Sequence, residues 1–312
     1  MKKIAITTGD PNSISPEIII KALNKLDLPE KQVVIIGNTN VFEYYSNNYG
    51  LKLNKNYEII EIPFEEVNIK PGKETKEAGD FAYQALVKAC TLAKEGLVKA
   101  IVTAPISKHS INLAGHHFDG QTEILEKNLA HSAQKAEMLF ISDKLWVMLL
   151  TRHVAIKNVP ELITKDLIIQ KTQRLNNSLK NNFNIKTPKL ALCALNPHAG
   201  EEGLFGDEEK KEYLPAIKEL KASGINVEGP FPADALFAHF EKKDFDCYIA
   251  SYHDQGLIPV KLLGQSTSVN TTIGLDVIRT SPAHGTAFDI AGKIKADETS
   301  MISAIKIALK SL

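Results

Sequence analysis

Short runs of β-branched and apolar residues alternate with longer amphipathic stretches along almost the whole chain. Residues 4–8, 33–36, 57–62, 100–104, 145–150, 190–195 and 247–251 read as strands. Several of these are unbroken apolar runs, the pattern of strands covered on both faces by helices. Between them, residues 16–26, 81–95, 160–180, 209–222 and 301–312 keep helical spacing, with Phe81, Ala85, Leu86, Ala89 and Leu92 forming one apolar stripe. Ser15-Pro16-Glu17 is a helix start: Ser caps, Pro suits the first helical position, and Glu suits the positive end. Residues 46–56 are polar and read as a surface excursion. Alternation of this kind predicts an α/β protein with a largely parallel sheet.

Composition narrows the class. Lys plus Arg equals Asp plus Glu, 37 each in 312 residues, so no general attraction to nucleic acid or anionic membrane is expected. Any bound anion must be held by a local cluster. Cys90, Cys193 and Cys247 are far apart in sequence and odd in number, which argues against a disulfide framework and suits a reducing cytoplasm. The apolar stretch near the start, Ile4-Ala5-Ile6, is short for a signal peptide, and no window reaches a membrane span of about 18 apolar residues. A soluble, cytoplasmic protein is expected.

The chain has no G-x-G-x-x-G after its first strand, no G-x-x-x-x-G-K-[ST], no H-E-x-x-H and no G-x-S-x-G. What it has are polar clusters placed just after apolar runs: Thr151-Arg152-His153, Asn196-Pro197-His198-Ala199-Gly200-Glu201, and Tyr252-His253-Asp254-Gln255-Gly256. Ligands of open α/β sheets sit beyond the carboxyl ends of strands. A histidine at such a place is ordinarily a hydrogen-bonded surface or core residue. Three at equivalent places offer the donor set of a catalytic divalent ion. His131 and His239, on helical stretches, are read as ordinary residues.

A second set suits an oxyanion: Lys261, then Asn270 in VNTTIG and Arg279 in RTSPAHGTA, combining a point charge, a neutral donor and a bidentate fork. Thr103–Lys108 follows a strand, and Asp119-Gly120-Gln121-Thr122-Glu123 turns into a helix whose free amides favour an anion. The segment from Ser281 to Lys293 carries Gly285, donors, acceptors and a carboxylate, and reads as a loop for an adenosine.

HGTAFDIAGK resembles the adenine-side NAD(P) loop of the isocitrate and isopropylmalate dehydrogenase superfamily, a two-lobed, non-Rossmann α/β fold with a cleft between the lobes. TTGDP, SPE, TAPISK, GQTE, TRHV, NPHAGEEGLFGDEE, GPFPAD, YHDQGLIPVK and RTSPAHGTAFDIAGK resemble, in order, the 4-hydroxythreonine-4-phosphate dehydrogenases of pyridoxal phosphate biosynthesis.

That resemblance implies a divalent metal (Zn, Mg or Co) on His153, His198 and His253. It implies substrate contacts at Gln121, Thr122, Lys261, Asn270 and Arg279, and NAD or NADP at His284, Gly285, Thr286, Ala287 and Asp289. It also implies a homodimer whose active site, with shared metal ligands, lies at the subunit interface. The family oxidises 4-phosphooxy-L-threonine with NAD(P)⁺, and the product loses CO₂ to give 3-amino-2-oxopropyl phosphate. Asp254, beside a ligand histidine, is a candidate general base or a partner that orients the imidazole, and Asp234 is a candidate of the same kind. By superfamily analogy, residues 1–120 plus 271–312 would form the cofactor-side lobe and 121–270 the lobe for metal, substrate and dimer contacts.

Two departures stand out. Ser13 and Ser15 replace usual glycines, which predicts a less tight loop. Gln121 replaces the usual histidine of G-H-T-E, and Gln accepts and donates but carries no charge. This keeps dehydrogenases of related phosphorylated four-carbon acids, such as threonate 4-phosphate, as the nearest alternative. A metal-dependent hydrolase is the competing class among enzymes, and a two-lobed binding protein for a phosphorylated metabolite is the non-catalytic one.

Overall fold

The computed structural model describes residues 2–131, 134–242 and 244–312. The elements run β1 (Ile4–Thr7), α1 (Ser15–Leu26), β2 (Val33–Gly37), α2 (Thr39–Tyr49), β3 (Glu58–Glu61), α3 (Lys76–Lys94), β4 (Ala100–Thr103), α4 (Lys108–Leu113) and α5 (Gln121–Leu129). They continue with β5 (Glu137–Ile141), β6 (Trp146–Leu149), α6 (Val159–Leu162), α7 (Lys165–Phe183), β7 (Lys189–Cys193), α8 (Leu214–Ala222) and β8 (Asn226–Phe231). Last come α9 (Ala233–Ala238), β9 (Cys247–Ala250), α10 (His253–Gly264), β10 (Val269–Ile273), β11 (Ile278–Pro282) and α11 (Thr299–Lys310). Two compact units result: Met1–Ala136 with Val269–Leu312, and Glu137–Ser268.

In the first unit the strand order is β3-β2-β1-β4-β11-β10. All neighbours are parallel except β10 and β11. Every residue of β1, β2 and β4 is buried, as unbroken apolar runs require. Phe81, Ala85, Leu86, Ala89 and Leu92 of α3 join Val34, Ile36 and Ile101 in one core, so the stripe faces inward as its spacing predicts. A Cβ on Gly79 would come within 2.0 Å of Ser110 O, so only glycine lets α3 approach the α4 backbone this closely.

The second unit has strand order β5-β6-β9-β7-β8, parallel from β6 onward, with β5 antiparallel to β6. Its core combines Val147, Leu149, Ala191, Cys193, Tyr248 and Ala250 with Leu257 and Val260 of α10. Gly256 seats that helix: a Cβ there would meet Leu149, Val147 and Ala250 at 2.8–3.0 Å. The three cysteines are buried free thiols, pushed up by desolvation, Cys90 to about 12.

Some local expectations are corrected. Residues 46–49 continue α2, which Asn38 caps by accepting from Asn40 N (2.9 Å). Its sequence TNVFEYYSNNY hides the helix because its polar residues resemble a loop. The stretch 160–180 divides into α6 and α7, with Thr164 capping the latter. His131 and His239 follow α5 and α9 rather than lying within them. Ser15 does not cap α1, because its hydroxyl donates to Pro105 O (2.9 Å). The loop with Ser13 and Ser15 is tight: both are fully buried, and Ser13 Oγ lies 2.8 Å from Ser15 Oγ and 2.7 Å from Asp10 O. Among the described residues, no helix is long and apolar enough to cross a membrane.

Candidate functional site

In the second unit, three neighbouring parallel strands end side by side in the order β6, β9, β7. His153 follows β6, His253 follows β9 as the first residue of α10, and His198 follows β7. Two side chains stitch these ends together. Gln255 Oε1 accepts from Ser251 N (2.7 Å) while its Nε2 donates to Ala194 O (2.7 Å), bridging β9 and β7. Thr151 Oγ1 donates to Ser251 O (2.8 Å), bridging β6 and β9.

The His153 and His253 rings stand 5.7 Å apart, centroid to centroid. Both line a cavity of about 320 Å³ with Arg152, Val154, Ile156, Val159, Tyr252 and Asp254. Asp254 Oδ1 accepts from His253 Nδ1 at 2.7 Å. Two imidazoles on one tetrahedral ion, with Zn–N of about 2.0–2.1 Å, place their ring centres roughly 5–6 Å apart. The pair therefore fits a divalent ion in donor type and spacing. His198 does not join it: among the described residues, no group of three or more His, Cys, Asp or Glu side chains is disposed to hold a metal. Asp234 is exposed in the first turn of α9.

His198 sits instead on an unusual backbone. Residues 198–203 all have positive φ, including His198 (52°), Ala199 (54°), Glu201 (40°) and Glu202 (57°). Left-handed backbone costs residues with side chains roughly 1–2 kcal/mol each. Such strain persists only where surrounding contacts over-determine it. Just before this run, Glu209, 2% exposed, accepts from Leu195 N, Asn196 N and Asn196 Nδ2 at 2.8–2.9 Å.

In the first unit, the end of β4 anchors two candidate substrate residues. Arg279 Nε on β11 donates to Thr103 Oγ1 (2.7 Å), and Gln121 Nε2 at the start of α5 donates to Ala104 O (3.2 Å). Arg279 is 4% exposed, and burial pulls its guanidinium down to about 9, against the pull of Glu123, so it stays charged at neutral pH. Gln121 Oε1 and Asn270 Oδ1 are buried acceptors with no hydrogen-bond partner. Thr122 is buried behind Gln121. Lys261 belongs to the second unit, exposed near the end of α10.

The 284–289 loop is also in the first unit. Ile14 N donates to Thr286 O (3.2 Å), and His284 Nδ1 lies 3.0 Å from Gly285 O. Ala287 is left-handed (φ 43°), and His284 and Asp289 are exposed. A Cβ on Gly285 would meet nothing within 4 Å, so the backbone there is open. In the same unit, Asp10 is fully buried, its backbone N donating to Pro105 O (2.9 Å). Desolvation, with help from Glu74, pushes its carboxyl up to about 7, against the Asn12 backbone amide and Ser110.

Sequence reading assigned no role to Glu209 or Gln255, and placed Thr103 only in a segment that follows a strand. The first two stand inside motifs that carried the resemblance, NPHAGEEGLFGDEE and YHDQG, but their contacts with the strand ends have no signature in residue type or spacing.

The family described as Pyridoxal phosphate biosynthetic protein PdxA matches residues 13–308. The chain belongs to this family. It is 40% identical over 319 residues to the 4-hydroxythreonine-4-phosphate dehydrogenase of Sulfurihydrogenibium sp., covering 99% of this chain and 98% of that protein. It is also 39% identical over 328 residues to the D-threonate 4-phosphate dehydrogenase of Pectobacterium atrosepticum, covering 99% of each. The crystal structure of 4-hydroxythreonine-4-phosphate dehydrogenase from Klebsiella pneumoniae superposes with a TM-score of 0.89 at 36% identity, covering 99% of each chain. Relatives under both names are dehydrogenases, and the chain is an oxidoreductase of this α/β fold rather than a hydrolase or a binding protein.

Proposed function

We propose that the chain oxidises 4-phosphooxy-L-threonine with NAD or NADP, and that the product loses CO₂ to give 3-amino-2-oxopropyl phosphate. The observation that carries this reading is the His153–His253 pair facing one cavity at adjacent strand ends, in a chain of the PdxA family.

In this reading His153, His198 and His253 hold a divalent ion (Zn, Mg or Co), with ligands drawn from two copies of the chain. Two supports are the absence of a single-chain three-ligand group among the described residues and the exposed apolar side chains of Val154, Ile156, Leu204, Phe205 and Ile258 in the same unit. A homodimer meets both. When bound, the ion supplies a Lewis acid that acidifies a substrate hydroxyl and offsets charge developing on the carbonyl oxygen.

The chain's own groups do the rest. Asp254 orients the His253 ring by accepting its Nδ1 proton. Arg279 and Asn270 bind the phosphate, Arg279 through the face of its guanidinium fork not used on Thr103, and Lys261 is kept as a candidate substrate contact. The loop with His284, Gly285, Thr286, Ala287 and Asp289 seats the dinucleotide, making the first unit the cofactor side. Asp234 is kept as a proton-handling candidate. A cytoplasmic setting suits three free, buried thiols.

The 39% identical D-threonate 4-phosphate dehydrogenase of Pectobacterium atrosepticum supports a second reading, D-threonate 4-phosphate. Gln121 Nε2 gives one N–H to Ala104 O and keeps a second, and its Oε1 lacks a donor, so the group has room for a substrate O–H or N–H as well as a phosphate oxygen. Both substrates supply one, a hydroxyl or an ammonium. Steady-state kinetics with each substrate, each cofactor and added divalent ions decides between them. NADH or NADPH formation from neither compound would sink both readings.

A further inference from the structure

The left-handed run at 198–203 carries His198 and is closed by one buried carboxylate. Glu209 Oε1 accepts from Leu195 N (2.9 Å) and Asn196 N (2.8 Å), the amides that lead out of β7, and Oε2 accepts from Asn196 Nδ2 (2.9 Å). Asn196 Nδ2 also donates to Glu208 Oε2 (2.7 Å). The far side of the turn is pressed against the same group: a Cβ on Gly200 would lie 2.8 Å from Glu209 Oε2 and 2.9 Å from Gly206 O. Gly206 in turn has no room for a Cβ, which would stand 2.5 Å from Asn196 Nδ2. At the end of the turn Leu204 N donates to Glu201 O (3.1 Å) and reaches Gly200 O, and Phe205 N donates to Gly200 O (3.2 Å).

A buried carboxylate needs hydrogen-bond donors, and those donors here are the amides at the base of the strained turn. The carboxylate and the turn therefore stabilise each other. Removing the carboxylate leaves two amide donors without an acceptor and opens space beneath Gly200. The backbone is then free to return to the right-handed region, which swings the His198 ring away from its direction.

We propose that Glu209 is a positioning residue, locking the 198–203 turn so that His198 is presented as a metal ligand. The proposal rests on the metal reading given above for His198. It assigns Glu209 no contact with the ion.

The test uses full-length, metal-free protein and the variants Glu209→Ala, Glu209→Gln and His198→Ala. Hydrogen exchange is followed at residues 195–206, and Co²⁺ is titrated with its visible absorption as the readout. In Glu209→Ala, exchange in this segment should rise at least tenfold while β6 and β9 exchange as in wild type. Co²⁺ affinity should fall at least tenfold, and the saturated spectrum should change. Glu209→Gln keeps an acceptor for Leu195 N and Asn196 N but turns an amide N–H toward Asn196 Nδ2, so it should be intermediate. It also carries the test if the alanine variant does not fold.

His198→Ala should leave exchange at wild-type rates and weaken Co²⁺ binding by itself. Unchanged exchange in the Glu209 variants overturns the proposal. So does a loosened turn with wild-type Co²⁺ affinity and spectrum. Wild-type Co²⁺ affinity in His198→Ala is a different failure: it removes His198 from the metal, and the proposal falls with that reading.

Discussion

Asp254 Oδ1 accepts from His253 Nδ1 at 2.7 Å, so only Nε2 of that imidazole remains available to a ligand. Carboxylate–imidazole pairs of this kind fix the tautomer and raise ligand basicity. The relationship sets the first expectation. His153→Ala, His198→Ala and His253→Ala should each abolish most turnover and metal content, and Asp254→Ala should weaken metal binding by about 10–100-fold. Metal analysis after dialysis reads both effects. Co-refolding His198→Ala with His253→Ala chains should restore part of the activity if ligands come from two copies.

Arg279 and Lys261 differ in setting, and their variants should differ too. Arg279 is buried on Thr103, so Arg279→Ala should cost on the order of 2–5 kcal/mol in kcat/KM for the phosphorylated substrate. Lys261 is exposed, and Lys261→Ala should raise the substrate KM less, with an effect that shrinks as salt is added. The KM for NAD or NADP should move little in either variant. A loss confined to the dinucleotide would transfer these residues to the cofactor.

Asp10 predicts a pH dependence of stability. Its carboxyl is raised by burial from 3.8 to about 7, so the folded state keeps a proton that the unfolded chain releases near pH 4. The associated stability is complete below about pH 4 and is lost as pH rises through about 7, on the order of 4 kcal/mol in all. Urea unfolding at pH 5 and pH 8 should show this fall in wild type and a flatter profile in Asp10→Asn. Equal slopes for the two proteins would remove Asp10 as the cause.

Gln121→His introduces a titrating ring beside Ala104 in place of a neutral amide. With an unperturbed pKa near about 6.5, it should give the substrate KM a new dependence between about pH 5.5 and 7.5. The substrate phosphate titrates near pH 6 in both proteins, so the difference between the two KM profiles carries the result. Superimposable profiles would show that Gln121 does not touch the substrate.

The alternation of apolar runs with amphipathic stretches was enough to read an α/β chain, because burial on both faces of β1, β2 and β4 demands unbroken apolar residues. Motif strings such as NPHAGE and YHDQG were enough to read the family. β8 escaped notice because it is only partly buried, and β10 and β11 because polar residues stand inside buried strands, as Asn270, Thr271 and Thr272 do in β10. Tertiary structure alone decided that β6, β9 and β7 end side by side, since strand order depends on packing among residues about a hundred positions apart. It also decided that His153 and His253 share a cavity while His198 rides a left-handed turn. It brought Glu209 to Asn196 N at the base of that turn, and the burial of Asp10 raises its pKa because the folded chain excludes water there. Residue order specifies which groups are present. Their strain, pairing and charge come from what the fold places around them.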